Sequence, residues 1–263
     1  MNRRIAALLA PASLLWMAGV IAPLLWLLRL SLYQSPAEGE HKFDVLFYYP
    51  GSWTLENYRH VLTDPFYVRT LLFTVVLGLT VTGITVFTGY VLGYAIYRAG
   101  RREKIALLVL IAIPKFTSLI LFIYGLKMML GSNGFWPVVA GETLMLLPYA
   151  ALTIAATLEA VPYSLVEAAR GLGASPSAAF RAVTLPLSLP GTLAATLLVL
   201  LWSLGAFLSP YLLGEPSQYT AAVQVERLTY HDLNWPESAA LNAVLMAAVA
   251  ALGYGIGKLR ARL

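Results

Sequence analysis

Few side chains in this 263-residue chain could make or break bonds. It contains no Cys and three His, and its 18 Lys and Arg against 13 Asp and Glu give a formal net charge of +5. Without Cys there can be no disulfide, thiolate metal site or Cys nucleophile. His41, His60 and His231 are scattered without ligand spacing, so no metal site is predicted. No nucleophile stands beside a base in the way that would suggest a catalytic residue. The ionisable residues that stand out are those inside apolar sequence: Lys115, Lys127 and Glu142. Such groups are costly in lipid, so they face a cavity or pair with one another. Tyr149, Trp202, Phe207 and Tyr211 also fall in apolar runs. They could wall a path for an amine through cation–π contact, or serve as packing and interfacial belt.

The elements that must position these residues are membrane spans. The chain is 59% hydrophobic and 12% charged, against a charged share of about 25% in soluble domains. About 20 apolar helical residues cross the hydrocarbon core, and six stretches qualify, near 5–31, 67–97, 105–129, 137–161, 187–212 and 238–257. The first is much longer than the ~7–15-residue apolar core of a signal peptide, so it reads as a retained span. Arg3, Arg4, Arg98, Arg101, Arg102, Lys104, Arg170, Arg181, Lys258, Arg260 and Arg262, 11 of the 18 basic residues, fall on one side of these spans. That side is cytoplasmic, and it takes both termini with it. The surplus of basic residues is thereby explained by topology rather than by nucleic acid. Residues 33–66 form an extracytoplasmic loop, and residues 162–186 lie in the cytoplasm between spans four and five.

The rise of 1.5 Å per residue sets depths along the third span. Lys127 lies about 33 Å from Lys104, near the external interface, where its ammonium can snorkel. Glu142 begins the returning span at similar depth, so a Lys127–Glu142 pair is expected. Lys115 follows Pro114 about 16 Å along, near mid-membrane, where it faces either the pathway or a partner subunit. Gly89 and Gly93 give span two a small-xxx-small face for close helix approach, with Gly78 and Gly83 above it. Pro23, Pro114 and Pro148 free backbone carbonyls inside spans, a pattern that suggests broken helices and transport.

The cytoplasmic segment reads "EAARGLGASPSAAFRAVTLP". Ser164 and Glu167 have capping-box spacing at a helix start. The helix should stop at Gly171 or Gly173, which tolerate a left-handed conformation. Ser175-Pro176 then reads as an N-cap with Pro at the first helical position, opening a second short helix. Two turns of helix are unstable alone, so this elbow must pack on something.

Glu167, Ala168, Ala169, Gly173, Val183, Leu185 and Pro186 match in spacing the Glu-Ala-Ala…Gly…Leu-Pro motif of the inner-membrane permease subunits of binding-protein-dependent ABC importers, with Val183 where Ile is commoner. The chain resembles that family over nearly its whole length, and its spermidine/putrescine branch in particular. "WTLENYRHVLTDPFY", "IPKFTSLILFIYGLKMMLGSNG" and "LNWPESAA" carry the branch likeness, although the connection between spans three and four is shorter than in that branch. The resemblance implies an all-α membrane protein of six transmembrane helices, a type I importer permease forming a single domain over 1–263, in the bacterial inner membrane. It implies a non-enzymatic subunit without a cofactor of its own. Its partners would be a second homologous permease, two ABC ATPase subunits that bind ATP and Mg, and an extracytoplasmic solute-binding protein. The elbow would be the coupling helix that docks on the ATPase, and a polyamine the solute. A pathway-facing Lys115 would instead fit a zwitterionic or anionic solute. An ion-coupled secondary transporter would need mid-membrane acids and inverted repeats, neither of which is evident; a non-transport scaffold would need no aqueous path at all.

Overall fold

The computed structural model describes residues 3–35 and 53–260. His41 and half of the expected external loop, residues 36–52, lie outside the described residues. Among those described, the regular elements are helical apart from one antiparallel bridge between Tyr33 and Trp53. The helices are α1 (Arg3–Leu30), α2 (Glu56–Thr63), α3 (Pro65–Arg98), α4 (Arg101–Ala112), α5 (Leu119–Leu130), α6 (Phe135–Glu159), α7 (Tyr163–Gly171), α8 (Pro176–Ala179), α9 (Leu185–Leu204), α10 (Leu208–Leu213), α11 (Ala221–Tyr230) and α12 (Trp235–Arg260). Among the described residues, five apolar stretches are long enough to cross a membrane: Ser13–Leu30, Pro65–Arg98, Phe135–Glu159, Pro176–Leu204 and Trp235–Gly255.

The expected third span is interrupted. α4 gives way to a 3₁₀ turn at Ile113–Phe116, and the chain is extended at Thr117 before α5 begins. The proline at position 114 has no N–H to donate to a continuing helix. Pro23 and Pro148, by contrast, remain inside continuous helices. α5 stops at Gly131, which donates its N–H to the Lys127 carbonyl at 3.0 Å and turns the chain away with a left-handed φ of 65°. The expected fifth span also differs. Its helix breaks at Gly205 and resumes as α10.

The chain forms two compact units, Met1–Arg69 with Ala221–Ala248, and Thr70–Thr220 with Val249–Leu263. In the first, Leu30, Tyr33 and Ala239 form a small core with Leu27 and Trp235 against it. Asn57, buried on α2, donates through Nδ2 to the carbonyls of Ser31 (2.9 Å) and Tyr33 (2.7 Å), which pins the helix to the end of α1. Asn234 caps α12: its Oδ1 accepts from the Glu237 N–H at 3.3 Å and its Nδ2 donates back to the Glu237 carboxylate. The other oxygen of Glu237 meets His60 Nδ1 at 2.5 Å, so one buried carboxylate holds both a helix start and α2.

In the second unit α6 is the central helix. It is flanked by α3 and α9, and its Val138, Leu146, Ala150 and Ile154 are fully or almost fully buried. Lipid tails are as apolar as these side chains, so burial from water does not drive the packing; close van der Waals approach does. Glycines permit that approach. A Cβ on Gly89 would lie 2.8 Å from the Ala150 Cβ, and one on Gly93 would lie 3.0 Å from the Ala151 carbonyl. A Cβ on Gly191 of α9 would overlap the Thr157 side chain of α6. Gly83, on the same helix as Gly89 and Gly93, has open space around it.

Gly191→Ala should therefore force α9 off α6 and cost about 1–3 kcal/mol, the usual range for overpacking. Gly83→Ala should be neutral or slightly stabilising. Thermal unfolding of the two variants in detergent separates these outcomes.

Candidate functional site

The elbow begins differently from the capping box expected at Ser164 and Glu167. α7 starts at Tyr163 with Pro162 at the N-cap, and no side chain caps it. Pro162, with φ −61° and ψ 122°, sets the entry by itself, and Ser164 falls inside the first turn. Glu167 is thus released from a capping role. It is exposed and makes no hydrogen bond or ion pair with a described residue.

The end of α7 matches expectation. The Gly173 N–H donates to the Arg170 carbonyl (3.0 Å) and the Ala174 N–H to the Ala169 carbonyl (3.1 Å), the paired bonds of a Schellman stop. Gly173 occupies the position that needs φ of +90°. Two residues later the Ser175 hydroxyl accepts from the Ala178 N–H at 3.2 Å, with Pro176 opening the helix. The second short helix opens where expected but does not stand apart from the next. α8 passes through a π turn at Phe180–Thr184 directly into α9, so Val183, Leu185 and Pro186 sit at the foot of a helical stretch running Pro176–Leu204.

Aromatic rings fix that foot. Phe180 lies edge-on to Tyr94 (5.2 Å between centroids) and Tyr90 (6.2 Å), and the Tyr90 hydroxyl is 2.8 Å from Ser188 Oγ. At the other end of the elbow Arg98 donates to the Tyr163 hydroxyl at 3.3 Å, and Lys104 pairs with Glu159 at the end of α6. Between these anchors α7 has no buried residue, and Leu172 is 91% exposed. Glu167, Ala168, Gly173, Leu185 and Pro186 are exposed, and Ala169 and Val183 are half-buried.

The structure joins some of the other candidate residues and separates others. Tyr149 stacks on Trp202, with centroids 5.2 Å apart and planes 22° apart. Phe207 stacks on Tyr211 at 5.4 Å and 20°, and Tyr219 extends that stack at 6.5 Å. Tyr219 and the Tyr90–Tyr94–Phe180 cluster were not anticipated, because nothing local in sequence joins residues so far apart. The Lys127–Glu142 pair is not formed. Lys127 Nζ instead donates to the Leu212 carbonyl at 2.8 Å, in the last turn of α10, where carbonyls lack helical partners. Glu142 is 2% exposed and makes no ion pair with a described residue. Lys115 falls in the 3₁₀ turn at Ile113–Phe116, and its side chain lies outside the described residues. No cluster of His, Asp and Glu suited to a metal occurs among the described residues.

Residues 86–261 match the family described as binding-protein-dependent transport system inner membrane component. The spermidine/putrescine transport system permease protein PotB of Escherichia coli (strain K12) is 30% identical over 216 residues, covering 73% of this chain and 78% of its own. Among solved structures, a bacterial ABC transporter involved in the import of the acidic polysaccharide alginate matches with a TM-score of 0.76 at 14% identity, over 98% of this chain and 95% of that one. The same kind of transporter in complex with an alginate pentasaccharide-bound periplasmic protein matches at 0.72 and 15% identity, over 98% and 94%.

The elbow geometry separates two neighbouring glycines. Gly173→Ala places a Cβ in the left-handed region, at a cost of about 1–2 kcal/mol, whereas Gly171 is helical with nothing within 4 Å of an added Cβ. Limited proteolysis of the purified chain should cut the elbow faster in Gly173→Ala and at the parental rate in Gly171→Ala.

Proposed function

We propose a function from one premise: this chain belongs to the inner membrane components of binding-protein-dependent transport systems. It is a multi-pass ABC importer permease with the type I fold. Our reading is that residues 162–186 are the cytoplasmic coupling elbow, with both termini on the same side, and that two ATPase subunits binding ATP and Mg supply the energy. A second homologous permease completes the pathway, and an extracytoplasmic solute-binding protein delivers the solute to the loop over 33–66.

The observation that carries the reading is the bareness of α7. A nine-residue helix with no buried residue cannot hold its shape through its own chain. Its ends are anchored by Arg98–Tyr163 and by Phe180 against Tyr94, so its exposed face is the surface left for a partner. Glu167, Ala168 and Gly173 are exposed there, with Ala169 half-buried beside them and Val183, Leu185 and Pro186 at the foot of α9. Because Glu167 caps nothing, its charge is available to the ATPase. Closure of the ATPases on ATP would move the anchored elbow, and with it α3, α6 and α9.

We take the solute to be a polyamine, supported by the likeness to PotB and by the Tyr149–Trp202 and Phe207–Tyr211–Tyr219 stacks, whose faces suit an amine. Co-expression with the ATPase subunit should give a stable complex. Glu167→Gln should weaken it by about ten-fold, the scale of one lost charge-assisted bond, and Ala169→Trp should abolish it. ATP-dependent uptake of radiolabelled spermidine by the reconstituted importer, reduced at least ten-fold in Trp202→Ala, tests the solute. ATP-independent uptake by this chain alone, driven by an ion gradient, would refute the importer mechanism, and preference for an anion would refute the polyamine.

A further inference from the structure

Two hollows, one between α3 and α4 and the other among α3, α4, α5 and α6, adjoin at Leu107, which lines both. One, of about 500 Å³, opens beside Ala95, Arg98, Ala99, Glu103, Ala106 and Leu107. The other, of about 250 Å³, is lined by eight residues, all apolar, among them Leu92, Leu110, Phe122, Leu147 and Pro148. The second exists because α4 ends at Ala112 and the chain turns at Pro114, so the spans around it do not close. We propose that these hollows form a site for an anionic glycerophospholipid, with the headgroup at the foot of α4 and one acyl chain in the apolar groove.

The charges at the rim favour this occupant. Arg98, Arg101 and Arg102 stand at the foot of the two helices, and Glu103 beside them already accepts the Gly100 N–H at 3.1 Å. Lys104 is occupied by Glu159. Arg101 and Arg102 are exposed, and no described residue pairs with them. Guanidinium groups bind phosphodiesters with two parallel hydrogen bonds, and basic pockets between membrane helices hold anionic headgroups. Leu107 lies about 8 Å along α4 from Arg102 and Leu110 about 12 Å, so the groove begins where a headgroup on the arginines would pass its acyl chain. An apolar pocket alone would accept any lipid; the rim selects a negative one. The site sits beside the elbow's Arg98–Tyr163 anchor, so lipid composition would bear on the elbow without contact to solute or nucleotide.

Native mass spectrometry of the purified full chain, titrated with dioleoylphosphatidylglycerol or dioleoylphosphatidylcholine, tests the site. Phosphatidylglycerol should be retained at least ten-fold more tightly than phosphatidylcholine. Arg101→Gln with Arg102→Gln should weaken phosphatidylglycerol about 30-fold. Leu110→Trp, at a residue already 64% exposed and thus tolerant of change, should fill the groove and weaken it at least five-fold. Circular dichroism of both variants should match the parent. Equal retention of the two lipids, or unchanged retention in the double variant, would overturn the proposal. Sensitivity to the arginines without sensitivity to Leu110→Trp would reduce it to surface adsorption and overturn the acyl seat. Loss of phosphatidylglycerol on adding the ATPase subunit would identify the surface as a protein interface instead.

Discussion

Helix approach without help from water is the constraint on which this molecule depends. In lipid, side chains gain little by leaving their surroundings, so helices must touch closely enough for dispersion to hold them. α6 meets that demand on two sides, through Gly89 and Gly93 of α3 against Ala150 and Ala151, and through Gly191 of α9 against Thr157. Gly141 of α6 does the same for α5 and α10, where an added Cβ would meet Ser209, Leu213 and Ile123. The elbow leaves α6 just beyond Glu159 and returns to α9 through the π turn. The glycine contacts within the membrane therefore also fix how far apart the elbow's two ends stand.

Breaking a helix in this setting leaves backbone groups that no solvent can satisfy. At the break after α9, the Gly205 and Ala206 N–H groups turn back to the carbonyls of Trp202 (3.1 Å) and Ser203 (3.2 Å). The Ala206 carbonyl takes the Thr220 hydroxyl at 2.7 Å, and the Leu212 carbonyl takes Lys127. The Thr220 hydroxyl and the Lys127 ammonium here complete a broken backbone. These two polar side chains serve the backbone, whereas Glu142 is buried without an ion pair to a described residue.

What could be read from sequence was local. Apolar run length located the long spans, and the Gly173 and Ser175-Pro176 signals located a stop and a start because both act within one turn. The Ser164–Glu167 spacing misled because it also occurs inside a helix, and Pro162 governed the entry. Depth placed Lys127 and Glu142 at one level but could not place them on facing sides, since each residue turns the helix by about 100°. The α9 and α10 break was unreadable because Gly205 sits in unbroken apolar sequence, and Tyr219 was unreadable because its partner lies on another segment. The bare face of α7 was foreseeable in kind, since a helix that short needs support.

The π turn at Phe180–Thr184 has one more consequence, which concerns register. A π turn accommodates one residue more than the α-helical turn it replaces. Everything on its far side is then rotated by about 100° relative to an uninterrupted helix. α8 and the Ser175 cap thus face a direction that α9 alone does not specify. The orientation of the elbow is encoded by the length of one turn, independently of the side chains that dress it.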